Sequence, residues 1–200
     1  WKISLGSAVF PYIETSGGLL NVVTTNGRLV CIDENEGKIV WTARVTRELV
    51  GISRYLNKYI IVCGYDGAVW VLHPEKKKII WSWRLDEQIA KGPFVHNDYF
   101  YALSGSLNVF SLKKKLKAKK AGRFSEFLSD GNKVLLLVES GSLFFYDPQK
   151  NKFEKTYRFL WNYEKYTFDG GNIYAYSGER KAIVSLSIYW LKDQTYWKVK

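Results

Sequence analysis

The chain has 200 residues, of which 46% are hydrophobic and 16% aromatic, and its 30 basic and 19 acidic residues give a net charge of +11. This composition excludes a disordered chain, and the length suits one folded domain. No apolar run approaches the roughly 18 residues that a membrane-spanning helix needs. The excess of basic residues favours binding to acidic partners or anionic surfaces, and it gives no information about the fold.

The first residue is tryptophan, and the chain contains no methionine. We therefore expect that the natural protein starts earlier, with a leader, a lipid anchor or further domains as the alternatives. The cellular location is not readable from this N-terminus.

Tryptophan and glycine recur along the chain at a spacing of 36–40 residues. The tryptophans at positions 1, 41, 81 and 161 fall on a 40-residue grid, position 121 is an alanine, and Trp197 lies near the end. The repeated glycines are Gly27, Gly67, Gly105, Gly141 and Gly178. A period of this length built from short strands predicts a radial repeat architecture.

Each grid position is followed by three strand-like segments and a fourth that ends the repeat. First strands are expected at 8–13, 48–54, 89–95, 123–128 and 164–168. Second strands are expected at 19–25, 59–64, 99–103, 133–139 and 172–176, and third strands at 28–32, 68–72, 106–110, 142–146 and about 181–186. This pattern predicts an all-β fold, a β-propeller of four-stranded antiparallel blades. We expect a single domain over 1–200, with repeats at approximately 1–41, 42–81, 82–121, 122–161 and 162–200.

The number of blades stays open between two alternatives. Trp1–Leu5 and Thr195–Lys200 both have the pattern of closing strands, which is one more than five blades require. The chain is therefore either a closed ring of about five blades or a segment of a larger ring.

The sequence predicts tight hairpins at the glycine turns and tryptophan packing between the blades. Asn26-Gly27 and Asp66-Gly67 predict tight hairpins in which both central residues take positive φ. The five glycine-centred turns should be equivalent. Trp41 and Trp81 should be buried between adjacent blades, where a large aromatic side chain fills space and its N–H finds a partner.

The stretch from Cys31 to Trp41 resembles the docking motif of PQQ-like (quinoprotein-type) β-propellers, which reads Ala-x-Asp-x-x-Thr-Gly-x-x-x-Trp. Asp33, Gly37 and Trp41 match this motif, whereas Cys31 replaces Ala and Glu36 replaces Thr. Among the non-enzymatic members, the chain is most similar to the propeller lipoproteins of the bacterial outer-membrane β-barrel assembly machine. The resemblance implies a protein–protein interaction scaffold in outer-membrane protein assembly, in an extracytoplasmic, periplasmic location, with lipid anchoring of the full-length protein left open.

The residue patterns indicate neither a catalytic site nor a cofactor. Quinoprotein dehydrogenases hold their cofactor with adjacent cysteines, and this chain has no such pair. Asp33, Asn35 and Gly37 have a superficial calcium-loop spacing, but Arg44 stands where a bidentate Glu is needed. We therefore expect no catalytic residues, no metal ligands and no cofactor, and a chain that is not an enzyme.

We expect the two histidines and the two cysteines to lie in different environments. His73 and His96 fall in predicted turns and are expected at the surface. Cys31 and Cys63 lie in neighbouring repeats, and packed sheets lie about 10 Å apart, whereas a disulfide needs Cα atoms roughly 4.4–6.8 Å apart. Two buried free thiols are therefore favoured over a bridge.

Charged residues at the starts of the first strands are the candidates for partner contact by position. They are Arg47, Glu48, Asp86, Glu87, Arg123, Glu126, Glu164 and Lys165. Glu48, Glu126 and Glu164 occupy equivalent repeat positions, so a small carbohydrate-active propeller enzyme that uses these carboxylates is the alternative. Acids close together around an open pocket would favour the enzyme, and acids paired with neighbouring cations would favour the scaffold.

A dense basic run lies in the last turn and the predicted outer strand of the third blade. Its candidates for an anionic surface are Lys113, Lys114, Lys115, Lys117, Lys119 and Lys120, followed by Arg123. Lysines on an exposed edge strand protect against edge-to-edge pairing, which is one explanation. The other is docking on an anionic membrane surface. Nucleic acid is disfavoured, because no stacking aromatic residues are interleaved in the run.

Overall fold

The computed structural model describes residues 1–113, 118–122, 124–129, 134–138, 142–147, 149–150, 152–158, 165–169, 172–177 and 182–187. Within these ranges the regular structure consists of β-strands, without helices. The chain divides into two compact units, unit one at Trp1–Ala121 and unit two at Gly122–Lys200. Among the described residues no helix is long and apolar enough to cross a membrane.

Unit one contains three four-stranded antiparallel sheets, which we call blades one to three. Blade one is β1 (Val9–Ser16), β2 (Leu19–Thr24), β3 (Arg28–Asp33) and β4 (Ile39–Arg44). Blade two is β5 (Leu49–Tyr55), β6 (Tyr59–Gly64), β7 (Ala68–His73) and β8 (Lys78–Arg84). Blade three is β9 (Lys91–His96), β10 (Tyr99–Leu103), β11 (Ser106–Ser111) and β12 (Ala118–Ala121). In each blade the strands are ordered as they occur along the chain.

Unit two contains two further sheets of the same up-and-down kind. Blade four is β13 (Phe124–Ser129), β14 (Val134–Val138), β15 (Ser142–Asp147) and β16 (Lys152–Arg158). The described part of the fifth sheet is β17 (Lys165–Asp169), β18 (Asn172–Ser177) and β19 (Ala182–Ser187). The expected first, second and third strands of all five repeats are thereby confirmed to within a few residues.

One expected strand is wrong. Trp1–Leu5 has no strand pairing, and the chain enters β1 only at Val9. Ile3 and Leu5 nevertheless pack on a buried cluster of blade one. Side-chain burial therefore holds this segment in place without a backbone ladder. The other expected closing strand, Thr195–Lys200, lies outside the described residues.

The hairpin turns differ in part from expectation. The loops after β2 and β6 have three residues, and the backbone N–H groups of Gly27 and Gly67 donate to Thr24 and Gly64, at 2.9 and 3.1 Å. The glycine carries the positive φ, 85° at Gly27 and 81° at Gly67. This matches a type I turn followed by a left-handed residue. The turn after β10 has only two residues, so the glycine-centred turns are not all equivalent. Gly141 and Gly178 lie outside the described residues.

Apolar side chains between blades form the core of unit one. A cluster between blades one and two includes Leu29, Cys31 and Val62, all fully buried. A second cluster between blades two and three includes Phe100 and Phe110, whose rings stack 5.1 Å apart. The inner strands of blade two are apolar on both faces because blades one and three cover it from both sides.

The tryptophans at the blade ends act as wedges, as predicted. Trp41 packs on the cluster between blades one and two, and Trp81 packs on the cluster between blades two and three. The Trp81 ring stacks on Phe100, with ring centroids 5.9 Å apart. Both tryptophans are half-buried rather than fully buried, because they sit on outer strands at the rim.

The expectation for the histidines is wrong, and the one for the cysteines is confirmed. His73 and His96 end strands β7 and β9 and are each only 4% exposed. His73 packs edge-on against Tyr59, with ring centroids 5.1 Å apart. Cys31 and Cys63 are free and fully buried. Burial raises the pKa of the Cys31 thiol to about 12 and also raises the pKa of Cys63.

Candidate interaction face

The turns and connections at one end of the blades in unit one form a surface that we call the loop face. In an up-and-down blade, the turn between the second and third strands lies at the same end as the connection that leaves the fourth strand. The loop face therefore consists of the turns at 25–27, 65–67 and 104–105 and the connections at 45–48 and 85–90.

Backbone hydrogen bonds fix the connections against the turns. Val45 donates its N–H to Gly27 at 2.8 Å, and Leu85 makes the equivalent bond to Gly67 at 2.9 Å. The N–H of Tyr65 donates to the carbonyl oxygen of Glu48 at 2.6 Å. The connections thus present their side chains from a fixed backbone.

Arg47 and Gly27 are in close contact on this face. A Cβ added to Gly27 would meet the Arg47 side chain at 2.8 Å, and Gly27 also needs its left-handed φ. A glycine is therefore required here for two independent reasons. The aliphatic part of Arg47 crosses the turn while the residue as a whole stays exposed.

The Asp66 side chain joins the connection at 45–48 to the outer strand of blade two. Its Oδ1 accepts a hydrogen bond from the hydroxyl of Thr46, which comes from the preceding connection, at 3.3 Å. Its Oδ2 lies 2.8 Å from Nη2 of Arg84, and Nη1 of Arg84 donates to the Asp66 carbonyl oxygen at 3.0 Å. The Arg84 guanidinium therefore holds both the carboxylate and the backbone of the β6–β7 turn.

Glu87 plays the corresponding part at blade three. Its Oε1 lies 2.8 Å from Nζ of Lys119, and its Oε2 accepts a hydrogen bond from the hydroxyl of Ser104 at 2.7 Å. The hydrogen bonds from Lys119 and then Ser104 hold the pKa of Glu87 below its usual value. Glu87 is thus ionised and joins the connection, the β10–β11 turn and the outer strand.

An open cleft of about 430 Å³ lies at the same end of blade two. It is lined by Ala68, Trp70, Ser82, Trp83 and Arg84. The Trp83 side chain is 40% exposed, and the indole N–H of Trp70 is buried without a hydrogen-bond partner. Apolar and aromatic surface therefore borders the charged loops.

Half of the predicted partner-binding residues lie together on the loop face. Arg47, Glu48 and Asp86 are exposed and Glu87 is half-buried, in two consecutive connections. The remaining candidates lie in unit two or outside the described residues. Glu126 lies in β13 and Lys165 begins β17, both in unit two, while Arg123 and Glu164 lie outside the described residues.

The predicted anionic-surface lysines are only partly described. Lys113 is exposed, Lys120 is half-buried, and Lys119 is paired with Glu87. Lys114, Lys115 and Lys117 lie outside the described residues. The run does enter β12, the outer strand of blade three, which among the described strands pairs with β11 alone. The predicted edge position is therefore confirmed, and a role in anionic binding stays a prediction.

The grouping of the three carboxylates of the alternative stays a prediction. Glu48 belongs to unit one, Glu126 to unit two, and Glu164 lies outside the described residues. The described residues contain no group of three or more His, Cys, Asp or Glu side chains positioned to hold a metal ion.

Sequence reasoning missed the Asp66–Arg84 pair and the aromatic cleft. Arg84 pairs across the blade with Ala68, directly after the Asp66-Gly67 turn. The sequence signals for this pair were Asp66, an acid before the turn glycine, and Arg84, an arginine at the end of the fourth strand. Their pairing becomes visible only once the register between β7 and β8 is known.

The docking motif has a clear structural basis at blade one. Oδ1 of Asp33 accepts the backbone N–H groups of Asn35 and Glu36 at 2.9 and 2.8 Å, which shapes the turn between β3 and β4. Gly37 has φ 68°, and an added Cβ would collide with the indole of Trp1. Asp33 and Gly37 of the motif thus shape a turn against which the Trp1 indole packs.

The family model for "Outer membrane protein assembly factor BamB" matches residues 1–187. BamB of Moranella endobia (strain PCIT), also named an outer membrane protein assembly factor, is 24% identical over 179 residues, which cover 79% of this chain and 46% of that protein. The chain thus spans about half the length of this curated relative.

Two solved structures show the same fold. BamB from Moraxella catarrhalis superposes with a TM-score of 0.67 at 19% identity, over 88% of this chain and 57% of that chain. The Cps50 (Swd1) β-propeller domain of Myceliophteria thermophila superposes with a TM-score of 0.65 at 10% identity, over 84% of this chain and 62% of that chain. The fold is therefore a β-propeller of about four to five blades, and the chain belongs to the BamB family of PQQ-like propellers.

Proposed function

We propose that this chain is a non-enzymatic β-propeller scaffold that binds a protein partner in outer-membrane protein assembly, in an extracytoplasmic, periplasmic location. The family match and the relatives named as assembly factors support this assignment. The partner-binding surface we propose is the loop face, with Arg47, Glu48, Asp86 and Glu87 as contacts. Arg123, Glu126, Glu164 and Lys165 remain proposed contacts by their repeat positions.

One observation carries the choice of the loop face. Two consecutive connections present exposed charges of both signs from backbones that are hydrogen-bonded to the neighbouring turns. A fixed backbone lowers the entropy that is lost on binding, so such loops are suited to specific contacts. The aromatic cleft beside Arg84 adds the apolar surface that a stable protein interface needs at its centre.

The ion pairing of the acids on the loop face also supports the scaffold assignment. Glu87 and Asp66 are paired with Lys119 and Arg84, at 2.8 Å in each case. A glycoside-cleaving pair needs two free carboxylates across an open pocket. Asp66 and Glu87 do not form such a pair, since both are held in ion pairs that join turns and strands.

Site-specific photo-cross-linking in cells tests this proposal. A photoreactive residue is placed at Arg47, Glu48 or Asp86, and the captured proteins are identified by mass spectrometry. We expect capture of a protein of the outer-membrane assembly machinery from all three sites. Equal capture from the opposite end of the blades, or none from the loop face, would contradict the proposal.

A matched charge-reversal pair gives the control. The test variant combines Arg47→Glu, Glu48→Lys and Asp86→Lys. The control combines Lys76→Glu, Glu75→Lys and Asp98→Lys, which change the same charges on exposed turns at the other end. Only the test variant should capture less of the partner. The amount captured should fall by about tenfold or more, because the reversed charges remove a few kcal/mol of interface contacts.

A further inference from the structure

The outer strand of blade two is an exposed sheet edge. β8 ends its four-stranded sheet, and in the part of the chain that the structure describes it pairs with β7 alone. Such a strand directs one row of its backbone N–H and C=O groups away from the sheet, where another strand can pair with them. Five of its seven residues are exposed, namely Lys78, Ile79, Ser82, Trp83 and Arg84.

The middle of this edge is apolar and aromatic. Ile79 and Trp83 are 39% and 40% exposed, and the two residues after Ile79 are half-buried. The outer strand of blade three differs, since Lys119 and Lys120 stand in the middle of its four residues. Lysines within an edge strand protect it against pairing, whereas β8 has its charges at the two ends only.

One face of this edge borders the aromatic cleft. The register between β7 and β8 places Ser82 opposite Trp70 and Arg84 opposite Ala68, and these four residues line the cleft together with Trp83. Successive side chains of a strand point to opposite faces of the sheet. A strand added beside β8 would therefore present every second side chain to the side of the cleft, which is how strand addition gains specificity.

Both ends of the edge carry positive charge. Residues 76–78 are three exposed lysines at the start of β8, and the side chain of Arg84 at its end is 65% exposed. The acid of the same turn, Glu75, lies over Gly17 of blade one and so is turned away from β8. The carboxylate of Asp66 contacts Arg84 at the other end. The edge thus has an apolar centre between two cationic ends.

This charge pattern selects between possible strands. A second copy of β8 would place lysine beside lysine in a parallel arrangement, or Lys78 beside Arg84 in an antiparallel one. Like charges on neighbouring strands destabilise their pairing, and opposite charges stabilise it. The edge is therefore complementary to a strand with acidic ends and not to a copy of itself.

We propose that β8 binds an extended peptide segment of a partner protein, apolar in its centre and acidic at both ends, which adds to blade two as a fifth strand. Backbone hydrogen bonds hold the peptide, the cleft receives its side chains on one face, and its carboxylates lie near the cationic ends of β8. The edge strand does not contain Arg47, Glu48, Asp86 or Glu87, so the inference does not rest on the partner proposed for the loop face.

The test uses a labelled synthetic peptide, Glu-Glu-Val-Thr-Val-Thr-Val-Glu-Glu, titrated with the 200-residue chain by fluorescence anisotropy. We expect a dissociation constant on the order of 10 µM at low salt. A peptide with proline at the central valine should bind at least about tenfold more weakly, because proline interrupts the strand. A peptide with glutamine for glutamate should bind more weakly and lose the dependence on salt.

Two matched variants locate the site. The test variant combines Ile79→Glu and Ser82→Glu, and the control combines Ile39→Glu and Thr42→Glu at the equivalent positions of β4, 40 residues earlier. All four residues are exposed, so both variants should fold. The test variant should bind the peptide at least about tenfold more weakly, because it places acids beside an acidic strand. The control should keep the affinity of the wild type.

Hydrogen exchange gives a second measurement. Backbone amides of Lys78–Arg84 should exchange more slowly with the peptide present, while those of Ile39–Arg44 should not change. No binding at about 1 mM chain, equal binding of the proline peptide, or an equal loss in the β4 variant would each overturn the proposal. Slower exchange of Lys78–Arg84 at higher protein concentration without peptide would assign the edge to a second copy and also overturn it.

Discussion

The indole N–H of Trp81 donates a hydrogen bond to the carbonyl oxygen of Leu112 at 3.2 Å, which joins the outer strand of blade two to the end of β11 in blade three. The indole of Trp1 makes the same contact with Glu34 at the end of β3. At Trp1 and Trp81 the tryptophan grid seen in the sequence therefore supplies indole hydrogen bonds as well as apolar packing.

Truncating this wedge should destabilise unit one. Trp81→Ala should lower the free energy of unfolding by about 3–5 kcal/mol, since it removes the ring that stacks on Phe100. Trp81→Phe keeps much of the packing but removes the donor, so it should cost about 1–2 kcal/mol. Denaturant unfolding measures both values. Trp83→Ala on the same strand is the control, and a cost as large as that of Trp81→Ala would contradict the wedge role.

A lysine in blade two occupies a position that suits glycine. Lys77 lies 40 residues after Gly37, and the two have φ values of 50° and 68°. Left-handed backbone costs a residue with a Cβ roughly 1 kcal/mol relative to glycine. Lys77→Gly should therefore raise the free energy of unfolding by up to about 1 kcal/mol, measured by thermal or urea unfolding. Lys76→Gly removes the same charge at an ordinary φ, and it should not stabilise the chain.

His73 should make the stability of the chain depend on pH. Burial first, and then the nearby cation Lys76, lower its pKa, only partly offset by Glu75. A lowered folded-state pKa means that protonation costs more in the folded state than in the unfolded state. The stability contribution is constant above the unfolded value of about 6.5 and falls as the pH drops through it.

The measurement is denaturant unfolding between about pH 8 and pH 5.5, the window around the unfolded histidine pKa. His73→Gln removes the titrating group, so the wild type should lose more stability than this variant as the pH falls. A wild type and a variant with identical pH profiles would contradict the assignment to His73.

Local signals account for most of the strands. A strand or a hairpin is predicted from alternating apolar residues and turn glycines that lie within a few positions of each other. Asn26-Gly27 and Asp66-Gly67 therefore predict hairpins that the structure contains. The turn type was wrong in detail, because only Gly27 and Gly67 needed positive φ in three-residue loops. The extra loop residue is not visible in the dipeptide alone.

Burial and pairing across distant segments were not predictable in the same way. His73 and His96 end strands β7 and β9, where the sequence pattern predicts turns, but neighbouring side chains such as Tyr59 bury His73. Trp1–Leu5 has a strand pattern but forms no strand in the structure. For the candidate site, the sequence indicated Arg47, Glu48, Asp86 and Glu87 by repeat position, while the ion pairs of the loop face depend on contacts between separate hairpins.

Both cysteines should be unreactive in the folded protein. Burial raises the pKa of Cys31 to about 12 and raises that of Cys63, so the thiolate that attacks a disulfide reagent is scarce at neutral pH. Titration with an aromatic disulfide should find no fast-reacting thiol in the native chain and two in the unfolded, unreduced chain. Fewer than two thiols after unfolding would mean that the cysteines are bridged.

The basic run at the outer strand of blade three should act as an edge guard rather than a membrane contact. Lys119 already pairs with Glu87 at 2.8 Å, and β12 is the last strand of its sheet in the part of the chain that the structure describes. Replacing Lys114, Lys117 and Lys119 with Gln should leave binding to anionic vesicles unchanged. It should increase self-association in light scattering, because an uncharged edge pairs more readily with another edge.

The matched control replaces Lys76, Lys77 and Lys78 with Gln, which removes the same charge from an exposed turn and the start of β8. Co-sedimentation with vesicles is compared at low and physiological salt, since exposed charges act over about 8 Å at physiological ionic strength. If the run were a docking patch, three lysines at about 1 kcal/mol each would lower vesicle binding roughly a hundredfold in the test variant alone. Such a loss, together with unchanged light scattering, would reject the edge-guard explanation and assign the run to an anionic surface.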